Sequence, residues 1–289
     1  MSSVMIDRLL TETPVAYQGV PGAYSEEALI GAFAGARPVS CRVLGDVFAA
    51  IDNGDVEYGF IPVENSHAGT VAEAYDLILE HPVSVLAERI HPVRHYLLGV
   101  PGAKVADVQR VFSHPQALAQ AMTYIRNAGM ETEPYYDTAG AAKMVAERGD
   151  PYCAAVASCL AAQRYGLDVL AENIQTASTN ATRFFLLGRG RWKREQRAEE
   201  QGPGKTSLVF FTEHRPGALV EALNCFARQG VNLAYLESRP SRQKSWEYGF
   251  FADIQGYEHE PPVHTSVEEL SRLLPFVQVL GSYSAGANQ

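Results

Sequence analysis

Apolar positions in the last third of the chain switch between the period of two that marks strands and the period of 3.6 that marks helices. "TSLVFF" (206–211) is a short apolar run and predicts a strand. "GALVEALNCFARQG" places Leu219, Leu223 and Phe226 at i, i+4 and i+7 and closes on Gly230, the pattern of a helix with a glycine stop. "NLAYLESRP" and "EYGFFADIQG" read as strands joined by a hairpin loop over 241–246. "VEELSRLL" predicts a short helix and "FVQVLGSY" a final strand. The order is βαββαβ, the ferredoxin-like unit. The tail "SAGANQ" carries no periodic signal and is expected to be unstructured.

The first 180 residues or so alternate the two periods more regularly. "VAYQGV" leads through a glycine turn into "SEEALIGAFA", and "EYGFIPV" leads into "ENSHAGTVAEAYDLILE". "HYLLGV" and "VQRVFS" are strands, with "PQALAQAMTYIRNAG" a helix after them. "CAAVAS" and "CLAAQRYG" give strand then helix, and "RFFLLG" is a late strand. Such alternation implies α/β architecture, with parallel or mixed sheets covered by helices. Between the two regions, "GRGRWKREQRAEEQGPGK" (188–205) is charged and then Gln/Gly/Pro-rich, and reads as a linker. The expected units are residues 14–190, a linker over 191–204, and residues 205–283.

Composition narrows the function classes. The 289 residues carry a formal net charge of −9 and no run of lysine or arginine, so nucleic acid is not an expected partner. No apolar stretch approaches a membrane span, and the first 14 residues lack the apolar core of a signal peptide. Cys41, Cys153, Cys159 and Cys225 fit neither a zinc site nor a disulfide framework. A reduced, cytoplasmic protein is the expectation.

The candidate chemistry sits where strands run into polar turns that open helices. The turns are "GVPGAYSEEA" (19–28), "PVENSHAGTV" (62–71) and "FSHPQALAQ" (112–120). Each puts small polar side chains at an expected helix start, where free N–H groups and the helix dipole favour an anion. Simple capping by Ser25, Ser66 and Ser113 is the plainer explanation of any one of them. A fourth feature, Thr182 and Arg183 at the mouth of the strand "RFFLLG", makes a ligand cleft the better account of the set. "GVPGAY" lacks the dinucleotide-binding glycine pattern. His91 and His95 stand four apart, but Pro92 disfavours a helix between them and no acidic partner follows, so no metal is expected. The inventory of hydroxyls, amides, one carboxylate (Glu64) and one arginine suits dissociation of an anion better than hydrolysis through an acyl-enzyme.

Quoted together, "GVPGAYSEEA", "IPVENSHAGTV", "SHPQALAQ" and "NATRFFLLG" resemble the signature segments of prephenate dehydratases. "GALVEAL" and "NLAYLESRP" resemble the two phenylalanine-binding segments of the ACT regulatory domain attached to that enzyme. One departure is visible: Thr176 stands where many of the family carry an acidic residue, six before the threonine of the T-R-F motif.

The resemblance implies a catalytic region of two α/β lobes similar to periplasmic binding proteins, followed by the ferredoxin-like ACT domain. It implies no metal and no cofactor, and assembly as a homodimer or homotetramer. Prephenate loses water and CO2 to give phenylpyruvate; arogenate, with an amine in place of the keto group, is the alternative substrate. The family's threonine maps to Thr182, as donor to the departing oxygen. Asn65, Gln120 and Glu64 are the other catalytic candidates, with Glu64 orienting Thr182 or a water. Tyr24, Ser25, Ser66, Ser113, Arg183 and Phe184 are candidate substrate contacts; Arg183 either anchors a carboxylate or braces the loop. L-phenylalanine is the implied effector, held by Gly217, Ala218 and Leu219 of one subunit and by Asn232, Leu233, Glu237, Ser238 and Arg239 of another. On this view, deletion from Gly204 onward leaves dehydratase activity and abolishes inhibition.

Overall fold

The computed structural model describes residues 10–177, 179–193, 202–240 and 248–286. From Pro14 the chain lays down β1 (Pro14–Gln18), α1 (Tyr24–Ala32), β2 (Arg37–Cys41), α2 (Leu44–Asn53), β3 (Tyr58–Asn65), β4 (Gly69–Thr70), α3 (Ala72–Glu80) and β5 (Val83–Pro92). It then crosses into a second lobe: β6 (Tyr96–Gly99), β7 (Arg110–Ser113), α4 (Pro115–Asn127), β8 (Glu131–Pro134), α5 (Thr138–Arg148), β9 (Cys153–Ala157), α6 (Cys159–Tyr165) and β10 (Asp168–Ala171). It returns to the first lobe as β11 (Ala181–Arg189).

The first sheet has the order β2-β1-β3-β11-β5, with β4 folded back on β3. Strands β1, β2 and β3 run parallel, and β11 lies antiparallel between β3 and β5. Both faces are buried, which is why "FIPV" and "FFLL" read as continuous apolar runs rather than alternating ones. Ala28 and Leu29 of α1 pack with Tyr17, Phe60, Phe184 and Leu186 on one face. Phe48, Ile51 and Ile78 of α2 and α3 pack with Phe185 and Leu187 on the other. The second sheet has the order β10-β6-β9-β7-β8. The two crossings between lobes are bonded side by side, Val93 N–H to the Asn180 carbonyl (2.8 Å) and Ile174 N–H to the His95 carbonyl (3.0 Å).

The C-terminal elements are β12 (Gly204–Phe211), α7 (Ala218–Arg228), β13 (Leu233–Pro240), β14 (Tyr248–Gln255), α8 (Pro261–Leu273) and β15 (Phe276–Ser284). Their sheet order, β13-β14-β12-β15 with every pairing antiparallel, is the ferredoxin-like arrangement expected from βαββαβ. Helices α7 and α8 cover one face through Phe226, Val263 and Leu270. The opposite face, with Val209, Phe251, Leu280 and Tyr283, joins the core of the first lobe. Strand β15 comes so near β5 that a Cβ on Gly281 would stand 2.0 Å from the Val85 carbonyl oxygen. Only glycine permits that approach of two backbones.

Several local expectations change. Segment 64–80 does not enter a helix directly. Strand β3 continues to Asn65, whose Oδ1 accepts the His67 and Ala68 amides, and the chain folds back through Gly69 (φ 80°) before α3 begins. Ser66 therefore caps no helix. Its hydroxyl donates to the Thr179 carbonyl and accepts the Ala181 amide, clamping the return crossing onto the end of β3. Ser25 lies inside α1, whose N-cap is Ala23, and Ser113 ends β7, leaving His114 to cap α4 through Nδ1. The tail is longer in structure than expected: β15 reaches Ser284, and the Gly286 amide donates to Glu88 at 2.7 Å. The expected hairpin loop over 241–246 lies outside the described residues, as does much of the expected linker. No helix among the described residues is long and apolar enough to cross a membrane.

Candidate active site

A cleft of about 290 Å³ lies between the two lobes, at the carboxyl ends of β1, β3, β7 and β8. That is where open α/β sheets bind ligands. The first lobe contributes Tyr24, Ser25, Asn65 and Thr182; the second contributes Gln116, Gln120, Asp137 and Thr138; the crossings contribute His95 and Asn180.

A bulge in β3 sets the local geometry. Thr182 pairs with Asn65 and Arg183 with Glu64, but Phe184 pairs with Pro62, so Val63 is the extra residue. Pro62 has no N–H to offer a ladder, and a central strand tolerates it at such a bulge. Successive residues of β11 point to opposite faces. Thr182 lines the cleft, and Arg183 lies beneath the sheet.

The hydrogen bonds across the cleft floor have a forced polarity. Backbone amides only donate, so the two that reach Asn65 Oδ1 fix that side chain's orientation. Asn65 Nδ2 then donates to Thr182 Oγ1 (2.9 Å) and to Asn180 Oδ1 (2.9 Å). Asn180 Nδ2 must in turn donate to Gln120 Oε1 (2.9 Å). The same oxygen lies 2.6 Å from His95 Nε2, which therefore carries a proton. Burial lowers the His95 pKa, so the ring is neutral and Nδ1 is an acceptor, 2.6 Å from the Tyr24 hydroxyl. The Tyr24 proton lies between that nitrogen and the Arg94 carbonyl (3.0 Å).

Two consequences follow from this chain of donors. Thr182 Oγ1 is an acceptor toward Asn65, which leaves its own proton for the cleft. Gln120 uses its oxygen twice, which leaves its NH2 group for the cleft. Thr176 supports the same helix, its amide and hydroxyl both donating to the Gln120 carbonyl (2.9 and 3.1 Å). A threonine suffices here because its partner is a main-chain acceptor.

Of the sequence candidates, the structure gathers Tyr24, Ser25, Asn65, Gln120 and Thr182 around one cleft. Ser113 is turned away, its buried hydroxyl donating to the Val156 carbonyl (2.6 Å). Phe184 is core, stacked on Phe60 at 4.9 Å. Ser66 serves the crossing as described above. Glu64 lies beneath the sheet with its carboxylate 3.7 Å from Arg183. Arg183 is a brace rather than a substrate anchor. Its Nε donates to Glu88 (2.7 Å), its Nη2 meets Asp253 of the C-terminal sheet (2.6 Å), and its guanidinium lies 4.7 Å over the Phe185 ring. Burial would raise the Glu88 carboxyl, but Arg183 and Lys205 outweigh it and hold Glu88 below its ordinary value. His91 and His95, four apart in sequence, serve different partners: His91 meets Glu27 at 3.2 Å and His95 belongs to the relay.

Sequence reading missed Asn180, His95 and Asp137. His95 opens "HYLLGV" and Asn180 opens "NATRFFLLG", but each stands one residue outside its strand, in a crossing between the lobes. Asp137 was detectable as an N-cap, since its side chain accepts the Gly140 amide at the start of α5.

With the cleft in view, the comparisons with known proteins decide the family. Residues 15–191 match the prephenate dehydratase family model. This chain belongs to the prephenate dehydratase family. A chloroplastic arogenate dehydratase/prephenate dehydratase of Arabidopsis thaliana is 38% identical over 283 residues, covering 93% of this chain and 71% of that one. A bifunctional N-acyl-homoserine lactone acylase/prephenate dehydratase of Komagataeibacter europaeus is 37% identical, covering 95% and 96%. The crystal structure of a prephenate dehydratase from Arthrobacter aurescens in complex with L-Phe superposes with a TM-score of 0.85 at 32% identity, covering 94% and 90%. The expected architecture, two α/β lobes followed by a ferredoxin-like unit, is the one observed, and it is shared with the solved prephenate dehydratases.

Proposed function

We propose that the protein converts prephenate to phenylpyruvate, in phenylalanine biosynthesis, with residues 14–190 as the catalytic unit, 191–204 as linker and 205–283 as the ACT unit. The observation that carries this reading is the polarity of the relay, which directs the Thr182 proton into the cleft. The C4 hydroxyl of prephenate is a poor leaving group and needs such a donor. As the ring carboxylate leaves as CO2, its bonding pair enters the ring and the C4–O bond breaks. The departing hydroxide takes the Thr182 proton and leaves as water, solvent restores the threonine proton, and the ring becomes aromatic. Aromatisation drives the step, so no covalent nucleophile is needed. Thr182 is bonded to an amide rather than to a base, which suits proton donation and not the attack a hydrolase requires. Pro62, Val71 and Val93 supply an apolar wall where a carboxylate is poorly solvated and released more easily. The start of α4, with Gln116 and Ala117, meets the side-chain carboxylate. Incubation of purified protein with prephenate should give phenylpyruvate. No product, from a folded protein, would end this reading. Arogenate is the second substrate to test in parallel.

Regulation by L-phenylalanine is the companion proposal, for a cytoplasmic homodimer or homotetramer. A cavity of about 390 Å³ lies at the start of α7, where Gly217 holds φ 84°, and Ala218 and Leu219 line it with Tyr248 and Phe250. None of Asn232, Leu233, Glu237, Ser238 and Arg239 lines this cavity within one chain. They lie at or beside β13, an edge of its sheet and so accessible to a second subunit, and Arg239 pairs with Asp76 of the first lobe (3.0 Å). A Gly217→Val, Glu237→Ala double variant is expected to lose calorimetric phenylalanine binding at least tenfold. Equal binding to wild type and variant would place the effector elsewhere.

A further inference from the structure

The cleft is poorly equipped for a plain dianion. Among its lining residues are two histidines, no lysine, no arginine and a single acidic side chain, Asp137. Arg183, for which anchoring a carboxylate is one of two expected roles, faces the C-terminal sheet.

Asp137 is the N-cap of α5, and its Oδ1 accepts the Gly140 amide. Capping accounts for an oxygen at this position but not for a charge, because asparagine and serine cap as well as aspartate does. No ion pair involves Asp137 among the described residues; the charge of His114 acts on it from nearby without forming one. Burial raises its carboxyl pKa, and the Gly140 bond and His114 oppose that only in part. It is therefore a cleft carboxylate short of a cation.

The substrate's own shape brings its side chain to this wall. In a prephenate-like ring, the leaving hydroxyl and the carbon bearing the three-carbon side chain lie at opposite ends. With the hydroxyl at Thr182 in the first lobe, the side chain reaches the second-lobe wall, where the starts of α4 and α5 bring Gln116, Asp137 and Thr138. The group that differs between prephenate and arogenate, keto or ammonium, is on that side chain.

We propose that Asp137 is a specificity residue that pairs with the ammonium of arogenate, so that the enzyme dehydrates arogenate as well as prephenate. This rests on the dehydratase reading above. Both substrates carry the side-chain carboxylate, which Asp137 repels; only arogenate carries an ammonium beside it that Asp137 attracts, and specificity is that difference. The test is paired kcat/KM for both substrates in wild type, Asp137→Asn and Asp137→Ser, each variant keeping a capping side chain. The expected result is turnover of both substrates by wild type, and a fall in the arogenate-to-prephenate ratio of roughly tenfold or more in either variant. A ratio within threefold of wild type in a folded variant overturns the proposal, as does wild-type turnover of prephenate without arogenate. Failure of wild type on both substrates would instead remove the dehydratase reading itself.

Discussion

Thr182→Ala lowers kcat by roughly 10²–10⁴-fold and leaves KM nearly unchanged, the loss expected for a donor that acts mainly on the departing group. On the proposed mechanism the Thr182 proton meets the leaving oxygen, and alanine removes it without removing a chain of contacts. Asn65 keeps Asn180 as a partner in the variant, so the relay beyond it stays in place. Thr182→Ser should recover most of the rate, because serine retains a hydroxyl that can accept from Asn65 and donate to the cleft. Steady-state kinetics on prephenate read both variants. A kcat within threefold of wild type in Thr182→Ala would remove the residue from the chemistry.

Arg183→Met costs about 3–5 kcal/mol of folding stability, the range for leaving buried charges without their partner. Glu88 and Asp253 are both buried; Glu88 accepts a hydrogen bond from the guanidinium, and Asp253 meets it as an ion pair. Lys205 still reaches Glu88 (2.6 Å), but Asp253 keeps only the Ser207 hydroxyl. The expected fall in melting temperature is on the order of 10 °C. KM measured on the folded fraction stays within threefold of wild type, since Arg183 does not line the cleft. A raised KM with an unchanged melting temperature is the opposite pattern, and would return Arg183 to the substrate.

Much of the architecture was legible because its long elements are strongly periodic. The βαββαβ order shows in the spacing of Leu219, Leu223 and Phe226 and in the apolar strands around them. The short polar strands were not legible. "RPVSC" and "ETEP" become β2 and β8 through pairing with β1 and β7, which local propensity does not encode. Thr182 and Asn65 were findable because strand ends at a sheet's carboxyl edge are where polar residues converge, whereas Gln120, inside α4, was marked by the resemblance of "SHPQALAQ". Thr182 and Arg183 could have been separated in advance, since neighbours on a strand face opposite ways. Asn180 and His95 could not, because only the pairing of the two crossings brings them between Asn65 and Gln120.

The contact between β15 and β5 bears on how the proposed phenylalanine response could be removed. Cutting the chain before Gly204, the simplest route suggested by the sequence, removes the surface against which Val85 and Phe185 are packed. It also strips Lys205 and Asp253 from Glu88 and Arg183, one residue along the strand from Thr182. The trimmed protein is expected to aggregate rather than run unchecked, and soluble, fully active trimmed enzyme would contradict this. Point substitution at the proposed effector cavity around Gly217 leaves that floor intact, and is the less disruptive way to abolish such a response.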